Sequence, residues 1–592
     1  MMRVADYIVQ RLTEEGVKHL FLVTGRGMLY LSDAAAKNEE ITCIPVHHEQ
    51  AGGYAAMAYS QYNGEMGACM VSTGCASTNA ITPVLCAWQD EVPMIVISGQ
   101  NMLKETVNYT GLPIRTYGQQ EANVVELVKP ITKYATMLKD ANDIAYILDE
   151  AFFAAKHGRK GPVWIDVPLD LQNARVEPEE LKRFTGIEEE FKIKEPDLQD
   201  ICEKLNAAER PIILFGSAIR STHSEELLIS FAEKYNIPLV YTDSSVDVYS
   251  TDHPLSMGVL SAMAGNRPAN FAVQNSDFIL VLGNRLTAMA TGNTPDKFAR
   301  AAKIYVVDID QFEHQKGNIN IGKLIIADVN DTLKRLSACQ INETNSAWVA
   351  KCKEWKRIFP KCEDFYRGEK KIDLYEFTEA LSGILTEKEV LVTDAGLEEL
   401  IIPTNLTFKD GLRCLHPISQ GAMGFALPAA VGGYYSSQKN VVTVIGDGSI
   451  MMNIQELQTI DHHRIPIKII VINNNCYSVI RRRQEDLFRR RTIGTDASNG
   501  VSCPDFKKVA DCFNLKYERI NSVDELPKLK DVIAMDEPVI CEVMCKETQK
   551  YLHSSFRKGQ NGKFVQPPLE DQSPFLDREL FLSQMIIEPI DL

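Results

Sequence analysis

An aspartate framed by glycines, Gly446–Asp447–Gly448, closes the apolar run VVTVI, and a second run, IKIIVI, leads to an asparagine, Asn474. The two polar residues stand 27 positions apart. That spacing accommodates a helix, expected over 450–463, crossing between parallel strands. Both side chains then leave the same carboxyl edge of a sheet, where open α/β sheets bind ligands. A carboxylate, an amide oxygen and a backbone carbonyl suit a hard cation. Mg²⁺ takes few protein ligands and draws the rest of its shell from phosphate and water. Gly446 and Gly448 let the backbone approach closely, and Ser449 opens the crossover helix, whose N-terminus favours a diphosphate. A GDG alone would read as a tight strand–helix turn with a capping aspartate. The asparagine pair one crossover later makes the combination specific.

The elements that must position these residues alternate helices with short buried strands, as parallel sheets covered on both faces require. Strands are expected at 19–23, 66–72, 93–99 and 162–168, then at 211–216, 238–243, 277–283, 303–310 and 323–328, and finally at 389–396, 440–448, 466–475 and 538–545. The fold class is therefore α/β, with three doubly wound parallel-sheet domains. The expected boundaries are a domain at 1–176, a charged linker at 177–200, a central domain at 201–335, a helical linker at 336–371, a third domain at 372–550 and a polar tail at 551–592 that would cover the active site. The 592 residues, 45% hydrophobic and 24% charged, are ordinary globular composition. A net charge of −16 argues against a general nucleic-acid or anionic-membrane surface. No apolar run approaches the roughly 18 residues of a membrane span. The N-terminal segment carries Asp6, Glu14 and Glu15 in an amphipathic pattern, unlike a signal peptide. The 14 cysteines are scattered without a CxxC pair, so reduced thiols in a cytoplasmic protein are the expectation.

Taken together, GDGS…NN, HHEQAGGYAAMAYS (47–60), VSTGCASTNAITPVLCAWQDEVPMIVISGQ (71–100), DHPLSMGVL (252–260) and HPISQGAMGFALPAAVGG (416–433) resemble the thiamine-diphosphate (ThDP) enzymes, and within them the acetolactate synthase large-subunit group. The likeness covers about residues 1–550 and makes the outer domains pyrimidine-binding and diphosphate-binding. It implies that Asp447 and Asn474 are side-chain Mg²⁺ ligands and that Cys476 supplies a backbone carbonyl. Glu49 stands where the family places the carboxyl that hydrogen-bonds the cofactor's pyrimidine and so activates its thiazolium carbon. Gly421 and Met423 stand in the loop that holds the cofactor bent, and Thr73, Asn79, Gly446, Gly448 and Ser449 in further cofactor-binding segments. In this family the glutamate reaches cofactor bound by another subunit, which implies at least a homodimer.

The departures from acetolactate synthases cluster on the acceptor side. The arginine that holds the carboxylate of a second 2-oxo acid is Met289 here. The channel lysine is Leu169, the substrate-packing phenylalanine Gln119, and the acceptor-selecting tryptophan Arg483. Arg26, in TGRG, stands where relatives carry a small residue or an aspartate, and with Arg481, Arg482 and Arg483 would form a local basic pocket suited to phosphate. The expected activity is ThDP- and Mg²⁺-dependent decarboxylation of a 2-oxo acid, pyruvate first, with transfer of the two-carbon unit to a carbonyl acceptor, a phosphorylated or nucleotide-linked keto-sugar. The alternatives are acetolactate synthesis proper and simple decarboxylation. A non-catalytic ThDP-binding regulator is disfavoured, because Glu49, Asp447 and Asn474 are all present. FAD, carried by many acetolactate synthases, is the less favoured expectation, because its central-domain contacts are altered.

Overall fold

The computed structural model describes every residue except 555, 559–563 and 591–592. Three six-stranded sheets follow one another along the chain, each parallel throughout. The first orders its strands Thr42–Pro45, His19–Leu22, Gly67–Val71, Met94–Gln100, Pro162–Pro168, Tyr134–Met137. The second runs Ser256–Val259, Leu239–Tyr241, Pro211–Phe215, Phe278–Leu282, Lys303–Asp308, Lys323–Ile326. The third runs Arg413–Leu415, Glu389–Thr393, Asn440–Gly446, Lys468–Asn473, Val539–Met544, Lys516–Ile520. The interior strands are buried on both faces, which is why they read as unbroken Val/Ile/Leu runs. No helix among the described residues is long and apolar enough to cross a membrane.

Two helices join the first and third units. Glu49–Asn63 packs on Ala426–Ser437 so closely that a Cβ at Gly432 would fall 2.0 Å from the Ala55 carbonyl oxygen. All three units meet at Arg413. Its guanidinium donates to Asp247 at 2.7 Å and to the Gln61 carbonyl at 2.9 Å, while Arg220 donates to the other Asp247 oxygen at 3.0 Å. Burial alone would raise the Asp247 carboxyl, but these two guanidinium groups hold it well below the usual carboxylate range.

The connecting segments differ from expectation in three places. The helix Glu195–Ala207 already begins inside the span expected to be linker. The 336–371 stretch is no detached linker: its helix Ser346–Ile358 buries Trp348 and Trp355 against the central sheet, and the Trp348 indole donates to the Pro211 carbonyl at 3.0 Å. The described part of the tail runs onto the central unit. Helix Arg578–Gln584 buries Phe581 beside Phe271, Arg300 pairs with Glu570 at 2.8 Å, and Asn270 donates to Gln572.

Candidate active site

Three adjacent strands of the third sheet end at polar residues. Glu389–Thr393 delivers Asp394, Asn440–Gly446 delivers Asp447, and Lys468–Asn473 delivers Asn474. Asp447 and Asn474 border one cavity of about 280 Å³, with Gly396, Glu398, Gly421, Met423, Gly446, Gly448, Ser449, Cys476, Tyr477 and Arg483. Asp447 is 4% exposed, and its carboxylate accepts the backbone N–H groups of Asn474 at 3.1 Å and Asn475 at 2.6 Å. Burial pushes Asp447 up to about 6, against the pull of those N–H groups. Asn475 turns the chain with φ +55, a left-handed conformation that asparagine tolerates. Gly448 is required by packing: a Cβ there would lie 1.8 Å from the Tyr477 ring. One carboxylate, one amide and a nearby carbonyl form the donor set that Mg²⁺ uses when phosphate completes its shell, so the residues present fit the ion.

The expected crossover helix is interrupted. Ser449–Met452 is a short 3₁₀ turn, and the α-helix occupies only Glu456–His462. Asn453 breaks the run because its side chain donates to the Gly424 carbonyl at 2.8 Å and to Gln50 at 3.1 Å. The Ser449 hydroxyl, expected at the cofactor, instead donates to Asp394 and accepts the Gly424 N–H at 2.9 Å. Asp394 is fully buried and is the organiser of this edge. It also accepts the N–H groups of Ala395 at 2.7 Å, Gly424 at 3.1 Å and Ala426 at 2.8 Å, which clamps the 421–426 loop to the end of strand Glu389–Thr393. The sequence reading missed it, although TDAG repeats the strand-end aspartate of IGDG. It also missed Glu398, which burial pushes up to about 8, with Asp447 and Asp394 adding to the rise.

The other half of the expected site lies at the carboxyl edge of the first sheet. Asn79 donates to the Glu49 carboxylate at 2.9 Å. The Thr73 hydroxyl is spent on the Gly99 carbonyl at 3.1 Å. Arg26 donates to the Gln119 side chain, so two of the acceptor candidates meet. The Arg26 loop is held by Gln172, which donates to the Gly27 carbonyl at 2.6 Å. Neither Glu49 nor any of these residues borders the cavity that contains Asp447.

The remaining acceptor candidates separate. Arg483 borders the Asp447 cavity, but Arg481 faces Glu485 at 3.4 Å and Glu547 at 3.5 Å. Arg482 stacks on Tyr551 and donates to His553 at 3.1 Å, so the expected triple-arginine pocket reduces to one residue. Met289 is 40% exposed in a second cavity, of about 450 Å³, at the carboxyl edge of the central sheet. The two cavities share Gly421, against which Glu399 of the second cavity is packed. Asp90, Glu91, Asp243 and Glu399 line this second cavity. Burial pushes Asp90 up to about 7, Asp243 to about 6 and Glu399 well above the usual range. Arg285, the one base in the lining, donates to the Gln89 carbonyl at 2.8 Å and lies 3.5 Å from Glu313. This lining offers the diphosphate of a flavin dinucleotide one guanidinium and no second cation.

Comparison with known proteins agrees with this architecture. The N-terminal TPP binding domain of the thiamine pyrophosphate enzymes matches residues 2–127, their central domain 198–336, and their C-terminal TPP binding domain 394–543. The acetolactate synthase large subunit of Lactococcus lactis is 30% identical over 558 residues, covering 93% of each chain. That of Haemophilus influenzae is 30% identical over 585 residues, covering 96% of this chain and 99% of the relative. The isozyme 1 large subunit of Escherichia coli is 29% identical over 554 residues, covering 92% and 94%. Three family domains in order, end-to-end similarity to acetolactate synthase large subunits, and a strand edge that gathers Asp447 and Asn474 place this chain among the thiamine pyrophosphate enzymes, as an acetolactate synthase-like member.

Proposed function

We propose that the chain decarboxylates a 2-oxo acid, pyruvate first, and transfers the two-carbon unit to a carbonyl acceptor other than a simple 2-oxo acid. ThDP, when bound, supplies the nucleophilic carbon and the electron sink that decarboxylation needs. Asp447, Asn474 and the Cys476 carbonyl would hold Mg²⁺ and through it the diphosphate, while Gly421 and Met423, which border the same cavity, would meet the pyrimidine edge. Glu49, oriented by Asn79, would hold the proton shared with the pyrimidine nitrogen. As the resemblance to this family implies, Glu49 would act on cofactor held by a second copy of the chain. All the cysteines are free, the state a reducing cytoplasm maintains.

The observation that carries the acceptor assignment is Met289 in an acid-walled cavity that meets the cofactor cavity at Gly421. An acceptor carboxylate there would lose a charge-assisted hydrogen bond worth about 1.5–3 kcal/mol. A hydroxyl-rich ketone has no such penalty, and Arg26 beside Gln119 offers a separate contact for a phosphate carried by a keto-sugar. Acetolactate synthesis proper is the second reading, favoured by the roughly 30% identity to enzymes of that name.

Mass spectrometry of products from pyruvate, with and without a panel of keto-sugar nucleotides and phosphorylated ketones, separates the two. We expect slow acetolactate formation from pyruvate alone and faster pyruvate consumption with one of the added acceptors. Efficient acetolactate synthesis, indifferent to every added ketone, would establish the second reading instead. Mixing inactive Glu49→Gln and Asp447→Ala chains tests the shared site, since restored activity requires one intact half from each.

A further inference from the structure

The cavity that would receive the diphosphate carries two carboxylates. Asp447 is one. The other is Glu398, 5% exposed, in the first turn of helix Leu397–Asn405. Glu398 borders the same cavity, and its two carboxyl oxygens lie 3.3 and 3.5 Å from where a Cβ on Gly446 would stand. Its carboxylate has no side-chain hydrogen-bond or ion-pair partner among the described residues. Arg483 is the one base in the lining. Ionising both of these buried carboxyls beside a polyanionic ligand is costly unless a cation stands between them.

We propose that Glu398 is a second acidic anchor of the divalent-cation site, acting on metal-bound water while Asp447 and Asn474 take the ion directly. This rests on the proposed use of the cavity for Mg²⁺ and ThDP. Mg²⁺ dehydrates reluctantly and keeps several waters, each of which needs an acceptor. Partners of this outer kind set ion affinity nearly as strongly as the ligands do. The diphosphate is then captured only together with the ion, because the ion must favour the ionised form of two protein carboxyls rather than one. Cofactor binding in this chain is accordingly coupled more steeply to divalent cation than one carboxylate would make it. Glu398 is a positioning residue for the ion, without contact to the reacting carbon.

The test uses the full chain freed of cofactor, titrated with Mn²⁺ as a paramagnetic probe at constant ThDP, with calorimetric ThDP titrations at several Mg²⁺ concentrations. Glu398→Gln keeps the shape and removes the charge. It should raise the half-saturating Mn²⁺ by roughly 10- to 100-fold and flatten the Mg²⁺ dependence of ThDP binding. Glu398→Asp keeps the charge and should stay within a few-fold of wild type. Unchanged or tighter cation and ThDP binding in Glu398→Gln overturns the proposal, as does an Asp variant as weak as the Gln variant. Asp447→Ala, measured alongside, separates the failures. If it loses cation-dependent ThDP binding while Glu398→Gln does not, only the role of Glu398 falls. If neither variant changes binding, the assignment of the cavity falls with it.

Discussion

Replacing Asp394 by alanine removes one acceptor that serves four donors: the Ser449 hydroxyl and the N–H groups of Ala395, Gly424 and Ala426. The hydroxyl can rotate, and Gly424 N–H keeps the Ser449 oxygen at 2.9 Å. Ala395 and Ala426 lose the carboxylate and keep no side-chain acceptor in its place. A buried donor left unmet costs about 1–3 kcal/mol, so two cost about 2–6 kcal/mol, a large share of the ~5–15 kcal/mol that holds a folded domain. The cost falls on the 421–426 loop, which borders the Asp447 cavity. If 2–3 kcal/mol of it must be repaid when the loop reorders around ThDP, affinity drops about 30- to 150-fold. Asp394→Asn is milder, because an amide oxygen in the place of Oδ1 keeps three of the bonds and only Ala426 N–H faces an NH₂ group. The assay is calorimetric titration with ThDP at saturating Mg²⁺, paired with thermal unfolding of the cofactor-free protein. The expected order of affinity is wild type, Asn, Ala. An alanine variant that binds ThDP within twofold of wild type and unfolds at the same temperature would refute the clamp.

Gly448→Ala should abolish cation-dependent ThDP binding, because its Cβ would collide with the Tyr477 ring; the double variant with Tyr477→Ala should recover part of it, read by the same titration. Asp247→Asn breaks a buried pairing with Arg413 and Arg220 and should cost about 3–5 kcal/mol in denaturant unfolding, with the junction of the three units opening first in hydrogen exchange. Asp166, 1% exposed and bonded to Ser98 at 2.6 Å and Gln100 at 3.0 Å, is pushed by burial up to about 7. Its folded value lies above the unfolded one of about 3.9, so the folded state holds a proton that the unfolded chain has released. Stability from this group is therefore full below about pH 4 and is lost as pH rises toward 7, by up to about 1.4 kcal/mol per unit. Asp166→Asn should flatten that slope in urea unfolding measured at about pH 5 and 7, and an unaltered slope would show that the carboxyl is ionised in the fold.

Local patterning determined the interior of each sheet. Every strand expected from an apolar run is present, because a strand buried on both faces must be apolar at every position. The strands the sequence hid are nearly all sheet edges: Thr42–Pro45, Tyr134–Met137, Ser256–Val259, Arg413–Leu415 and Lys516–Ile520. An edge strand is short and often half-solvated, so a segment such as KYERI carries no unbroken apolar signal. Asp447 and Asn474 were legible for the same local reason, since each follows an interior strand and the crossover length places both on one edge. Asp394 and Glu398 were not, because their importance lies in residues remote in sequence: Gly424 and Ser449 for the first, Gly446 for the second. Likewise the arginine run 481–483 looked uniform in the chain, and only tertiary packing gave Arg481 to Glu547, Arg482 to Tyr551 and His553, and left Arg483 at the cavity. A side chain's type and spacing declare what chemistry it can do. Which partners reach it first, and so whether that chemistry stays available, depends on contacts that only the folded chain makes.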